Sequence, residues 1–212
     1  MQNHIASHDE FAATYDAQVQ HYSSYGHDIL FGMCYEFVKA GDSLLDLGIG
    51  TGLSSMNFAR LGLSVTGLDG SAEMLNECRK KGFDAELRHY DIRSVPLPFT
   101  DASFSHVICC GVLHFFGDLR PIFSEAFRLL KSGGIFALTI ASLSETTSDT
   151  PLNFIETPSA WGIPVFKHSD NYLQTLSQSL GLDILKQQKV LVDSGEEHAA
   201  DLLFKVYVMQ KS

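Results

Sequence analysis

The sequence is short of positive charge. Fifteen Lys and Arg stand against 25 Asp and Glu in 212 residues, a formal charge of −10, so a phosphate backbone is repelled unless a basic patch is assembled locally. Nucleic acid is therefore not expected as a partner. Nor is there a run approaching the roughly eighteen apolar residues that a membrane-crossing helix needs, and the start "MQNHIASHDEF" lacks the basic end and apolar stretch of a targeting leader. The expectation is a soluble, cytoplasmic protein without a membrane partner. The four cysteines, Cys34, Cys78, Cys109 and Cys110, make no CxxC pair, which suits free thiols in a reducing compartment. Of the histidines, only His4 and His8 stand at a helical ligand spacing, with no third ligand evident, so no metal is expected.

What is present is a strong apolar rhythm. With 45% hydrophobic residues, the chain is long enough for one well-buried core and short for two. Residues 1–40 carry helical spacing with Gly26 as a break, predicting two cap helices. From 41 to 141, "SLLDLG", "SVTGLD", "DAELRHYD", "FSHVICCG" and "GIFALTI" read as strands alternating with the helices "LSSMNFARLG", "SAEMLNECRKKG" and "LRPIFSEAFRLLK". Strand and helix in turn, with connections too long for hairpins, predict a parallel sheet covered on both faces. Between 142 and 170 the periodicity is lost in a Ser, Thr and Pro-rich stretch, predicting a long substrate-side loop. Residues 171–212 then give a helix and two apolar segments joined by "SGEEHAA", an antiparallel hairpin. The expected fold is α/β: a Rossmann-like, doubly wound sheet of seven strands, mostly parallel, with an antiparallel C-terminal strand.

In such sheets ligands sit outside the carboxyl ends of the strands, where the loop in "LLDLGIGTG" (44–52) falls. Glycine admits positive φ and lets backbone N–H groups approach a ligand closely, so Gly48, Gly50 and Gly52 suggest a turn wrapped round something. A structural turn alone could use one or two of them. Asp69 ends "SVTGLD" where a carboxylate can accept both hydroxyls of a ribose. Asp91, at the end of the third strand, would bring a second carboxylate to the same edge, within reach of an adenine amino group; either could equally be a helix cap. The spacing here is GxGxG rather than GxGxxG, and Asp46 precedes the first glycine. An anion there repels a pyrophosphate but suits an ammonium or sulfonium group, and S-adenosylmethionine carries both.

The stretches "LLDLGIGTG" (44–52), "VTGLDGSAEML" (65–75), "YDIRSVPLPFTDASFSHVICCGVLHFF" (90–116) and "LLKSGGIFALTI" (129–140), in that order and spacing, resemble the class I S-adenosylmethionine-dependent methyltransferases of the small-molecule group. "FAATYD" (11–16) is similar to that family's cap helix. The resemblance implies that Gly48 and Gly50 contact the methionine part, with Asp46 near its amine. It implies Asp69 on the ribose, Gly70 and Met74 against the adenine, and Asp91 with Ile92 over its other face. Cys110 would lie beside the methionine part, and Tyr15 would close the site from the cap. Ser105 and Ser132 depart from the family's usual Asp and Pro.

Methyl transfer is a displacement at carbon that needs positioning, and a general base only where the nucleophile must lose a proton. His114, in "GVLHFF" past the fourth strand, is the candidate base, its residue type being suited by a reference pKa of about 6.5; a packed aromatic-run histidine is the alternative. On the substrate side, His168 and Trp161 belong to the long loop, and Tyr22 and Tyr25 to the end of the first cap helix. For each of these, packing or solvation is the competing reading. The expected function is methyl transfer from S-adenosylmethionine, with S-adenosylhomocysteine as product, to an O or N atom of a small molecule. The alternatives are a nicotinamide-dependent oxidoreductase, or a cofactor-binding partner protein without catalysis.

Overall fold

The computed structural model describes residues 3–143, 152–158, 164–192 and 202–212. Seven strands form one sheet in the order β3-β2-β1-β4-β5-β9-β8: β1 (Ser43–Leu47), β2 (Ser64–Asp69), β3 (Ala85–His89), β4 (Phe104–Cys109), β5 (Leu130–Ala141), β8 (Leu182–Val192) and β9 (Leu202–Lys211). The first five run parallel, and β9 lies antiparallel to both β5 and β8. The order reverses between β1 and β4, which puts the crevice for a ligand at their carboxyl ends.

Alternation along each strand sends neighbours to opposite faces. Leu45, Leu47, Val107, Phe136 and Leu138 pack under α6 (Arg120–Leu129) and α7 (Asp170–Leu180). Leu44, Val65, Ile108 and Ala137 pack under α3 (Gly26–Cys34), α4 (Leu53–Arg60) and α5 (Ala72–Lys80). Both faces are therefore covered, as a parallel sheet requires. Local signals fix the helix starts: the hydroxyl of Ser71 accepts from Met74 N at α5, and that of Ser169 from Tyr172 N at α7. At the first turn of α7, Asp170 accepts from the Tyr207 hydroxyl at 2.9 Å and pairs with the buried Lys205, which seats the helix against β9.

Three departures from expectation matter. The N-terminal segment forms α1 (Asn3–Phe11), a 3₁₀ turn and α2 (Tyr15–His21), one helix more than expected, and the break before α3 falls at residues 22–25, with Gly26 as the first helical residue after it. Strand β3 ends at His89, two residues short of Asp91. The stretch 142–170 is not all loop: β6 (Phe154–Thr157) and β7 (Val165–His168) pair antiparallel as a separate small sheet. Four residues apiece, with apolar side chains interrupted by Glu and Lys, gave too short an alternation to identify from sequence. Trp161 and the "SGEEHAA" connection lie outside the described residues. Among those described, no helix is long and apolar enough to cross a membrane.

Candidate functional site

The loop between β1 and α4 makes three positive-φ turns, at Gly48 (+82°), Gly50 (+54°) and Gly52 (+86°). Two of these glycines are packed against protein. A Cβ on Gly48 would stand 2.5 Å from Val112 Cγ2, and one on Gly52 would stand 2.7 Å from Cys78 Sγ. Gly50 differs, because a Cβ there would meet nothing within 4 Å. Its backbone N–H instead donates to Asp69 Oδ2 at 2.7 Å, while Ser71 N donates to Oδ1 at 2.8 Å. Asp69 thus stands at the end of β2, as expected, and also buckles the loop to the next strand. Burial, ahead of any other influence, raises its pKa.

Asp46 is only 1% exposed. Its Oδ2 accepts the Ser55 hydroxyl at 2.7 Å, and its Oδ1 has no hydrogen-bond partner among the described residues. A buried carboxylate with one bond is costly, and burial, reinforced by the charge of Asp69, pushes its pKa up to about 7. This orphaned oxygen, beside a loop with an open side at Gly50, is what an ammonium-bearing ligand would complete.

Cys110 follows β4 and lies within 3.9 Å of the Thr139 hydroxyl, which also accepts from Gly111 N at 2.7 Å. Burial pushes the Cys110 thiol up to about 11, so it stays protonated near neutral pH. The Tyr15 hydroxyl comes within 3.7 Å of where a Gly111 Cβ would stand, and burial with nearby Cys110, Asp16 and Asp69 holds the phenol far above its usual pKa. Two carboxylates fasten the cap to this edge: Asp16, the last residue of the "FAATYD" stretch, and Asp9, which no motif marks. Asp16 accepts from Thr51 Oγ1 at 2.6 Å and pairs with Lys81, while Asp9 accepts from Ser71 Oγ at 2.5 Å.

Around the expected adenine position, Met74 and Ile92 are buried, and Ile5 of α1 covers Gly70, its Cδ1 lying 2.7 Å from where a Cβ would be. Asp91 is committed elsewhere. Both its oxygens accept from Arg93, and that guanidinium holds the carboxyl below its usual range. Before any ligand arrives, the carboxylate expected to reach an adenine amino edge is thus engaged by an arginine two residues away, which offers a bidentate partner.

His114 sits in a 3₁₀ turn, Leu113–Phe115, directly beyond the carboxyl end of β4. Its ring packs at 4.1 Å on Phe115 and edge-on at 5.6 Å to Phe204 of β9. His8 of α1 also meets Phe115, edge-on at 5.3 Å, so α1 touches this turn. His168, expected either on the substrate side or in solvent, is an interior residue. It is fully buried and its Nε2 lies 3.0 Å from the Gly117 carbonyl. Tyr22 caps the end of α2 with its ring edge-on to His21, and Tyr25 precedes α3 with half its surface exposed. A cavity of about 310 Å3 exists at the opposite edge of the sheet, lined by Lys39, Asp42, Ser105, His106 and Lys131; it takes in none of the glycine-loop residues.

Comparison with known proteins agrees with this geometry. Residues 45–138, from β1 to β5, match a family described as a methyltransferase domain. A demethylmenaquinone methyltransferase of Tropheryma whipplei is 35% identical over 97 residues, 46% of this chain and 41% of that protein. A ubiquinone biosynthesis O-methyltransferase of Xanthomonas oryzae pv. oryzae is 34% identical over 110 residues, 50% of this chain and 45% of that one. The matches thus span less than half the length of these curated relatives. Among solved structures, a methyltransferase-like protein of Haloferax volcanii, in complex with the Trm112 methyltransferase activator, superposes with a TM-score of 0.71 at 22% identity, covering 95% of this chain and 96% of that one. A Burkholderia thailandensis 1,6-didemethyltoxoflavin-N1-methyltransferase with bound S-adenosylhomocysteine gives 0.68 at 16% identity, covering 97% and 87%. At such identities the likeness is one of fold.

Proposed function

We infer that this chain is a class I S-adenosylmethionine-dependent methyltransferase, and from that premise we propose that it moves a methyl group to a nucleophilic oxygen or nitrogen of a small molecule. The observation that carries the proposal is Asp46 Oδ1, buried and without a partner among the described residues, beside the glycine loop. A pyrophosphate would be repelled there, whereas an amino acid's ammonium is attracted. S-adenosylmethionine, when bound, supplies an electrophilic methyl on a sulfonium and departs as the neutral thioether S-adenosylhomocysteine.

The chain's own part is placement. Asp46 holds the amine, Gly50 gives the backbone approach, Asp69 takes the ribose and Gly70, Met74 and Ile92 take the adenine. Cys110 and Tyr15 stay protonated and neutral beside the methionine part, so neither competes as a nucleophile. His114 accepts the proton that an attacking hydroxyl or amine gives up. The cap helices α1 and α2 exclude water from the same edge, which strengthens each charge interaction inside. The acidic surface supports a small acceptor over nucleic acid, and four unbridged cysteines support a cytoplasmic setting.

The reading is tested by calorimetric titration with S-adenosylhomocysteine, with NADH in parallel. Micromolar binding of the first alone supports it; binding of NADH alone overturns it in favour of an oxidoreductase. Tritium transfer from labelled S-adenosylmethionine to a panel of phenols, quinols and amines then tests the chemistry, and His114→Ala should lower that rate roughly a hundredfold.

A further inference from the structure

The post-β4 segment carrying His114 is held at its far end by the inserted hairpin and α7. Gly117 offers its carbonyl to His168 Nε2 at 3.0 Å. A carbonyl only accepts, so the proton is on Nε2. Two residues on, Leu119 N donates to the Tyr172 hydroxyl at 2.9 Å, and that hydroxyl donates to Asp118 Oδ1 at 2.8 Å. The rings of His168 and Tyr172 lie nearly parallel, 18° apart at 6.0 Å, with Phe154 of β6 against both. Gly117 lacks a side chain where the insert arrives: a Cβ there would stand 2.7 Å from Phe154 and 3.2 Å from Phe166. His168 is itself fixed, its carbonyl accepting from Leu143 N at 2.9 Å beyond β5.

We propose that His168 is a positioning residue for the methyl-transfer site: with Tyr172 it fixes residues 117–119 and thereby sets where the His114 turn stands over the carboxyl end of β4. The inference rests on the reading of His114 as the base. Between Cys109, at the end of β4, and Gly117 there is only the short turn bearing His114. Anchoring both ends of so short a segment leaves its middle little freedom, whereas releasing one end lets the imidazole swing. A base displaced by about 1 Å loses much of its effect.

The test needs no acceptor. In protein labelled at histidine, the His114 imidazole resonances and their pH titration are followed by NMR, with amide exchange at Leu113 to Leu119, in wild type, His168→Ala, His168→Gln and Tyr172→Phe. In His168→Ala the His114 resonances and titration midpoint should shift and exchange at 113–119 should quicken roughly tenfold, one lost hydrogen bond's worth. His168→Gln, which restores an N–H donor, should recover most of both. Tyr172→Phe, which removes only a hydroxyl, should loosen 118–119 in the same way and covers the case in which His168→Ala does not fold. An unmoved His114 in a folded His168→Ala or Tyr172→Phe protein, or a His168→Gln protein no better than His168→Ala, overturns the proposal. S-adenosylhomocysteine affinity should stay within about twofold in every variant; loss of binding already in wild type would be a failure of the functional reading instead.

Discussion

Ser55 Oγ donates to Asp46 Oδ2 at 2.7 Å and leaves the other oxygen of a carboxylate only 1% exposed without a partner. Burial pushes this acid up to about 7, far above its unfolded value. The folded protein therefore holds the proton where the unfolded chain has lost it, so this group lowers stability as pH rises from about 4 to about 7 and has no further effect above. Ligand binding has the opposite demand, because an ammonium favours the ionised acid. S-adenosylhomocysteine should lose up to about tenfold in affinity per unit below about pH 7, and hold its affinity above that until its own ammonium loses its proton. Asp46→Asn should weaken binding at least about tenfold, abolish that slope and raise the melting temperature of the free protein at pH 8, since no charge is then buried. Titration calorimetry across pH and thermal melts check all three.

Gly48 and Gly50 should respond differently to alanine. At Gly48 the new methyl meets Val112 at 2.5 Å, so Gly48→Ala should cut stability and disturb the segment leading to His114. At Gly50 nothing stands within 4 Å and φ is +54°, so the fold should lose only about 1–2 kcal/mol of left-handed backbone strain. Its binding of S-adenosylhomocysteine should nonetheless be lost, because the methyl projects into the open side of the loop. A Gly50→Ala protein that binds like wild type would mean the ligand lies elsewhere.

The cap is fastened by two carboxylates, Asp9 on Ser71 and Asp16 on Thr51. Replacing both by Ala should release α1 and α2 without unfolding α5, whose own cap is the bond from Met74 N to Ser71 Oγ at 3.1 Å. Chymotrypsin should then cut at Phe11, Tyr15 or Tyr22 faster than in wild type. Stopped-flow dissociation of S-adenosylhomocysteine should quicken severalfold, since the cap would no longer close the edge. Unchanged digestion and dissociation would leave these bonds as surface contacts.

What could be read in advance followed periodic signals. The strands β1, β2 and β4 are apolar runs ending in turn residues, Ser71 and Ser169 are N-caps with side chains in the right place, and Asp69 closes β2 as its spacing indicated. Contacts between distant segments leave no such trace. Ser55 has no motif to mark it as the partner of Asp46, and Asp9 sits among polar helix residues where any carboxylate looks solvated; Asp16 belongs to the "FAATYD" stretch, but nothing in that stretch names Thr51 as its partner. Arg93 beside Asp91 was visible in the sequence, but whether it turns inward to that carboxylate is decided by the fold. His168 was read as an exposed or substrate-facing group because the strand that buries it is four residues long.

Asp69 is the residue whose replacement is easiest to misread. Its carboxylate accepts from Gly50 N and Ser71 N at 2.7 and 2.8 Å in the free protein, so loss of binding on substitution does not by itself report a ribose contact. Asp69→Asn turns an N–H2 toward one of these donors, and losing a hydrogen bond to a charged acceptor costs about 1.5–3 kcal/mol. The free protein's melting temperature should fall by several degrees, about 2–4 °C per kcal/mol at this size. The ribose role is isolated by a cycle with 2′-deoxy-S-adenosylhomocysteine. If Asp69 holds that hydroxyl, deleting it from the ligand should cost wild type roughly tenfold in affinity and the variant much less. Equal losses in the two proteins would assign Asp69 wholly to the shape of the loop.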